Sequence, residues 1–201
     1  MKHIMMDLET RGTVAGCVVF SLGLVVMNFE TGKLEEEFYS LVSISDSLAH
    51  YLEEDADTVE WWDKQSPAAR ASLLEAQGDG APGLRQVMED LNGWFSSIGA
   101  TARKTRLYGN GADFDNPILR VMQKAAKVLP FGTKAGFYGG RCYRTLKTLD
   151  EVFGPAFAFS SLERSGTYHN ALDDAKSQAT HLMRNVQRIR AMGFNRLDDG
   201  K

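Results

Sequence analysis

Cysteine is nearly absent from this chain. Its two copies, Cys17 and Cys142, stand far apart and outside any C-x-x-C pair. That excludes a disulfide scaffold, argues against a cysteine-based zinc site and fits a reduced compartment. Long apolar runs are missing too: the longest, Cys17 to Met27, is broken by Ser21 and Gly23 and is too short to span a bilayer. The opening Met1-Lys2-His3-Ile4-Met5-Met6-Asp7 is charged too early for a secretory leader, so a cytoplasmic protein is expected. Internal repeats, low-complexity linkers and the biases of disordered or collagen-like chains are also lacking. What is present, 201 residues of which 43% are hydrophobic, suffices for a full core. The expectation is one domain over residues 1–193 and a short C-terminal tail over residues 194–201.

The net charge of −3 says little about partners, but its distribution says more. From Glu30 to Gly99 there are fifteen Asp/Glu against four Lys/Arg. From Asn116 to Leu149 there are seven Lys/Arg (Arg120, Lys124, Lys127, Lys134, Arg141, Arg144, Lys147) and no acid. A basic block on an otherwise acidic chain is the usual footprint of a polyanion-binding face. The bland alternative is a solvated helix face.

Local patterns place the elements. Lys2 to Glu9 reads as a buried strand. Cys17 to Phe29 reads as a second, bulged at Gly23, and Lys33 to Val42 as a third, paired in a hairpin across Thr31-Gly32. Thr58 is a candidate N-cap for a helix bearing Trp61 and Trp62, and Ser66-Pro67 is a second helix-start signal. Leu84, Val87, Met88, Leu91, Trp94, Phe95 and Ile98 mark an amphipathic helix. Arg106 to Gly109 is a short strand, and Phe114 to Leu129 a helix with Arg120, Lys124 and Lys127 on one face. Ala171 to Met192 is a long last helix, ended by Gly193. Strands first, then helices alternating with strands, predict an α/β fold: a mixed sheet, antiparallel meander plus parallel strands, flanked by helices.

Chemistry gathers in three segments. Asp7 and Glu9, two apart on a strand, share one face. Their mutual repulsion is relieved by a cation, and hard oxygen ligands suit Mg²⁺ or Mn²⁺. Asp115 follows the turn Tyr108-Gly109-Asn110-Gly111-Ala112-Asp113-Phe114 and starts a helix, where it would be an N-cap; Asp113 is its rival as a ligand. In His169-Asn170-Ala171-Leu172-Asp173-Asp174, Asn170 is a natural N-cap and Asp173 sits at the third helical position. His169 and Asp174 then lie near the same helix end. Each segment alone has a bland reading as a strand end or a cap. The remaining histidines, His3, His50 and His181, have no partner pattern and read as structural or exposed.

Taken in order, Asp-x-Glu, Asn-x-x-x-Phe-Asp and His-x-Ala-x-x-Asp resemble the DEDD exonucleases of the DEDDh type, which have a ribonuclease H-like fold. The segments Thr58 to Ser66 and Arg141 to Leu146 are similar to the phage exonuclease A group and the related mycobacterial 3′-5′ exoribonuclease. Three residues separate Asn110 from Phe114, where polymerase proofreading subunits commonly have two. The resemblance implies that Asp7, Glu9, Asp115 and Asp174 hold two divalent ions, Mg²⁺ or Mn²⁺, and that His169 is the general base. It places Leu8 and Thr10 near the terminal base and sugar. Trp61 and Trp62, about 100° apart on a helix, cannot both face the core, so one is a candidate for stacking on a base. Arg141 and Arg144 are phosphate candidates, and Gln65, Asn110 and Phe114 complete the expected substrate contacts.

The implied activity is release of nucleoside monophosphates from 3′ ends, of single-stranded DNA or 3′ overhangs. Trimming of RNA 3′ ends is the alternative, since no device for sensing a 2′-hydroxyl stands out. A catalytically inactive end-binding module would have lost a carboxylate, and a two-carboxylate glycosidase has no use for the histidine motif or the basic block. The expected partner is nucleic acid, with a homodimer as a further option and no membrane.

Overall fold

The structure, a computed structural model, describes residues 1–101, 103–129, 139–146 and 164–193. Lys134, Lys147 and the tail over residues 194–201 lie outside them. Strands β1 (Lys2–Thr10), β2 (Val19–Asn28) and β3 (Lys33–Leu41) form the antiparallel meander. On the other side of β1, strand β4 (Thr105–Gly109) pairs with it in parallel, and β5 (Gly140–Cys142) pairs in parallel with β4. The sheet order is β3-β2-β1-β4-β5. Being central, β1 is covered on both faces, which is why its middle, Ile4-Met5-Met6, is a continuous apolar run instead of alternating.

The two faces of the sheet do different work. Ile4, Met6 and Leu8 of β1, with Phe20, Leu22 and Leu24 of β2, join the larger core. On that side lie α2 (Ala56–Asp63), α3 (Ala71–Gln77), α4 (Leu84–Ser97) and α5 (Asp115–Ala125), through residues such as Trp62, Leu73, Met88 and Ile118. Met5, Val25 and Met27 point the other way, onto the long helix α6 (Ala171–Ala191), whose Ala175, Ala179, Leu182 and Met183 cover them. Asp7 and Glu9 have the parity of Met5, so they share the α6 face.

Several boundaries depart from expectation. Asp55, not Thr58, caps α2: its carboxylate accepts the Thr58 amide at 2.8 Å. Ser66-Pro67 opens a turn, with the Ser66 hydroxyl accepting from Ala69, and α3 starts only at Ala71. α5 ends at Ala125, and Lys127 has φ 54°, so it does not extend the face carrying Arg120 and Lys124. The Ser43-capped helix of six residues, Ile44–Ala49, and β5 with three residues are too short to show a period. Gly23 is not a bulge. The irregularities of β2 fall between Val25 and Met27 against β3, and opposite Glu9/Thr10 against β1.

Gly23 instead sits opposite Asp7 in the β1–β2 register, beneath the start of α6. A Cβ there would lie 2.3 Å from the Leu172 amide nitrogen and 2.4 Å from the Ala171 carbonyl carbon. The missing side chain lets α6 descend onto the sheet beside Asp7. Gly23→Ala is expected to cost at least about 1–3 kcal/mol, because backbone blocks the methyl. Gly93→Ala, in α4 with nothing within 4 Å of the new methyl, should gain about 0.5–1 kcal/mol. Urea denaturation of the two variants checks this, and equal stabilities would contradict it.

Candidate active site

The site forms where three chain segments meet at the end of β1. Asp7 and Glu9 come from the strand itself, two residues apart on the α6 face. Glu9 is buried, and Asp7 Oδ1 accepts from Gln178 Nε2 at 2.7 Å. Gln178 lies one helical turn beyond Asp174 on α6, so one helix face both donates to Asp7 and presents a carboxylate to it.

Asp115 arrives from the β4–α5 turn. It is the first residue of α5, and Phe114 holds the N-cap position, so the expected cap role goes unfilled. Its Oδ2 turns back to accept the Asn110 amide at 2.6 Å. Gly109 makes this possible: a Cβ there would meet the Asp115 carboxylate at 2.8 Å. Asp115 is 1% exposed while Asp113 is exposed, so Asp115 joins the cluster and its rival does not.

Asp174 and His169 come from the start of α6. The Asn170 side chain accepts from the Leu172 and Asp173 amides, as expected of the cap. Asp173 accepts from the Thr167 amide at 2.8 Å, bracing the entering loop. His169 has φ 62°, an uncommon left-handed conformation for a residue with a side chain. Its amide donates to Asp174 Oδ2 at 3.2 Å, and its Nδ1 lies 4.0 Å from Glu9 Oε2. The imidazole stands among Tyr168, Trp61 and Trp62, with ring centroids 3.9, 5.1 and 5.5 Å away. Ligand atoms of Glu9, His169 and Asp174 all fall within 4.8 Å of one another.

The electrostatics follow from this crowding. Burial, then Glu9, Asp115 and Asp174, raise the Asp7 carboxyl well above its ordinary range. Burial and the neighbouring Asp174 and Asp115 push Glu9 up to about 8. Burial raises Asp115 to about 6 against the pull of its amide donors, and it raises Asp174 against Arg164. Burial lowers His169, and Arg164 adds to this against the opposing effect of Asp174. An imidazole so placed is neutral near pH 7 and free to accept a proton.

Asp7, Glu9, His169 and Asp174 open into a cleft of about 680 Å³, whereas Asp115 is buried behind its wall and does not line it. Its lining includes Leu8, Thr10, Trp61, Trp62, Asn110 and Phe114, all expected near substrate. The two tryptophans divide as their spacing requires. Trp62 is buried, packs on Phe20 and donates its indole N–H to the Thr10 carbonyl, whereas Trp61 is 43% exposed. Gln65 does not line the cleft; its amide caps the Trp61 carbonyl at 2.9 Å. Arg144 donates to the Asn110 carbonyl at the cleft's edge, and Arg141 lies on β5 outside the lining. His3 bonds the Tyr108 hydroxyl, His50 the Asp46 carbonyl and His181 the Tyr143 hydroxyl, each a structural contact. Sequence reasoning missed Gln178, Arg164, Asp55 and Asp57 in the lining. Gln178 was legible as Asp174 plus one turn; the others carry no signal of their own.

The raised carboxylates have a consequence for stability. Glu9 holds its proton up to about 8 when folded, against 4.5 for a free carboxyl. The folded state therefore binds more protons between those values, and stability falls as pH rises through them. His3, lowered from 6.5 to about 4 by burial, acts in the opposite sense, but only below about pH 6.5. The melting temperature in chelator should thus fall from pH 6.5 to 8, and a divalent cation should restore it. A flat or rising curve in chelator would contradict the reading.

Comparison with known proteins agrees with this geometry. The family model of the 3′-5′ exoribonuclease Rv2179c-like domain matches residues 2–186, a span holding all four carboxylates and His169. The nuclease domain of 3′hExo, a DEDDh family member solved bound to rAMP, aligns with a TM-score of 0.60 at 15% identity, over 93% of this chain and 92% of that one. E. coli Exonuclease I in complex with a dT13 oligonucleotide gives 0.65 at 12% identity, over 96% of this chain and 42% of that one. Exonuclease X in complex with 5′ overhanging duplex DNA gives 0.54 at 13% identity, over 96% and 94%. At these identities the likeness speaks for the fold, which is ribonuclease H-like. No curated protein sequence matches significantly. With Asp7, Glu9, His169 and Asp174 in one cleft, Asp115 buried beside them, and a single family model running from residue 2 to residue 186, the chain belongs to the 3′-5′ exoribonuclease Rv2179c-like domain family and is a 3′-5′ exonuclease.

Proposed function

We propose that the chain removes nucleoside monophosphates from single-stranded 3′ ends with two Mg²⁺ or Mn²⁺ ions held by Asp7, Glu9, Asp115 and Asp174. The supporting observation is the convergence of these four carboxylates, every one with its proton affinity raised by burial, and Asp7 and Glu9 by their carboxylate neighbours as well. An all-oxygen donor set of this charge fits hard divalent cations. Bound there, such ions supply charge neutralisation for the phosphoryl group and a lowered pKa for the attacking water.

The protein groups do the remaining work. Neutral His169, at the rim beside Glu9, accepts the proton of the attacking water. The ring wall around it excludes solvent from that side and holds the imidazole in place. Trp61, the exposed indole of the pair, offers its face to the terminal base, and Leu8 and Thr10 lie under the terminal base and sugar. Arg120, Lys124 and Arg144 steer the strand, and their contribution should weaken as salt rises.

The family's description as an exoribonuclease favours RNA 3′ ends. DNA 3′ ends, the first expectation from the sequence, are the second reading, supported by the DNA-bound relatives in fold. End-labelled single-stranded and overhanging RNA and DNA, with and without Mg²⁺ or Mn²⁺, separate the two. With the better substrate, His169→Ala should slow turnover about 10²–10⁴-fold. Asp7→Ala and Asp174→Ala should leave less activity still. Full turnover in excess EDTA, or a His169 variant weaker than both Asp variants, would contradict the assignment.

A further inference from the structure

Arg164 stands apart in the charge balance of the cleft. Of the residues lining it, Asp7, Glu9, Asp55, Asp57 and Asp174 are acidic, and among the described residues Arg164 is the one permanently charged cation. Its guanidinium donates to Asp174 Oδ1, an oxygen that a metal ion would need. It also lies 4.2 Å from the centroid of the Tyr168 ring, and its side chain is 42% exposed. The segment carrying it is anchored to α6, since the Ser165 amide donates to the Ser177 hydroxyl at 3.1 Å. Arg164 is thus tied to the site by the segment that carries it, while its partly exposed head is held there by Asp174 and Tyr168 alone among the contacts described above.

Two divalent ions bring four ligand carboxylates only to neutrality, and Asp55 and Asp57 keep the cleft wall acidic. A phosphodiester entering this cleft, and gaining charge as it reacts, needs a further cation. A guanidinium fork matches two phosphate oxygens. The Tyr168 face holds an arginine near the site by cation–π attraction even without a carboxylate partner. We propose that Arg164 exchanges partners: it covers Asp174 in the metal-free protein, and when a cation takes that oxygen it swings over Tyr168 to bind the phosphate of the terminal nucleotide. It is then a phosphate-contacting catalytic residue. This rests on the metal-site reading above.

The exchange makes two linked demands that a merely structural arginine would not meet. Removing Arg164 removes a competitor for Asp174, so metal should bind as tightly or more tightly. It also removes a phosphate ligand, so phosphate should bind more weakly. The test is calorimetric titration of wild type, Arg164→Gln and Arg164→Lys, first with Mn²⁺ alone and then with AMP and dAMP at saturating Mn²⁺. Single-turnover cleavage is measured beside it. Arg164→Gln should keep or tighten Mn²⁺ affinity, weaken monophosphate binding about tenfold and slow cleavage roughly 10²-fold, the scale of losing one preorganised charge contact. Arg164→Lys should fall between. Unchanged monophosphate affinity would overturn the proposal, as would weakened Mn²⁺ binding together with a lowered melting temperature. Failure of wild type itself to bind Mn²⁺ would instead overturn the metal-site reading.

Discussion

Mutual repulsion of four carboxylates is the constraint on which this structure turns. Burial raises the proton affinity of Asp7, Glu9, Asp115 and Asp174, and in Asp7 and Glu9 the neighbouring carboxylates add to it. Left to themselves they would separate. Three of them are held in place by an amide donor. Gln178 holds Asp7, the Asn110 amide holds Asp115, and the His169 amide holds Asp174. On the metal-site proposal, the stability lost in forcing them together becomes affinity for cations.

Two glycines set the distances. Gly23 lets α6 rest on β2 directly opposite Asp7, and Gly109 lets Asp115 fold back over the end of β4. The alanine stripe of α6 extends the same close approach along the sheet. On the opposite face, the larger core of β2, α3, α4 and α5 needs no such economy of side chain, and its large residues fill the space. The sheet is therefore a divider, with the larger core on one side, α6 on the other, and the cleft at its end drawing residues from both.

Much of this was legible in sequence, for identifiable reasons. The meander, α4 and α6 have long, regular patterns, Asp7/Glu9 have a spacing that a strand converts directly into a shared face, and the Asn170 cap signal places His169 and Asp174 at one helix end. What was not legible depends on tertiary approach. Gly23 reads as a bulge because nothing local reveals the helix above it. Asp115 over Asp113, and Trp61 over Trp62, are decided by which side chain meets the core. Arg164 lies in a segment without periodicity, so its pairing with Asp174 leaves no trace in the chain. Thr58 lost its cap role to Asp55, three residues earlier, a competition between two good caps that local pattern cannot decide. No helix among the described residues is long and apolar enough to cross a membrane.

The most direct test of the central claim is anomalous diffraction from crystals soaked in Mn²⁺. The account predicts two manganese peaks in the cleft, both within coordination distance of oxygens from the Asp7, Glu9, Asp115 and Asp174 set. Manganese bound elsewhere, or those four carboxylates left without it under saturating conditions, would contradict it.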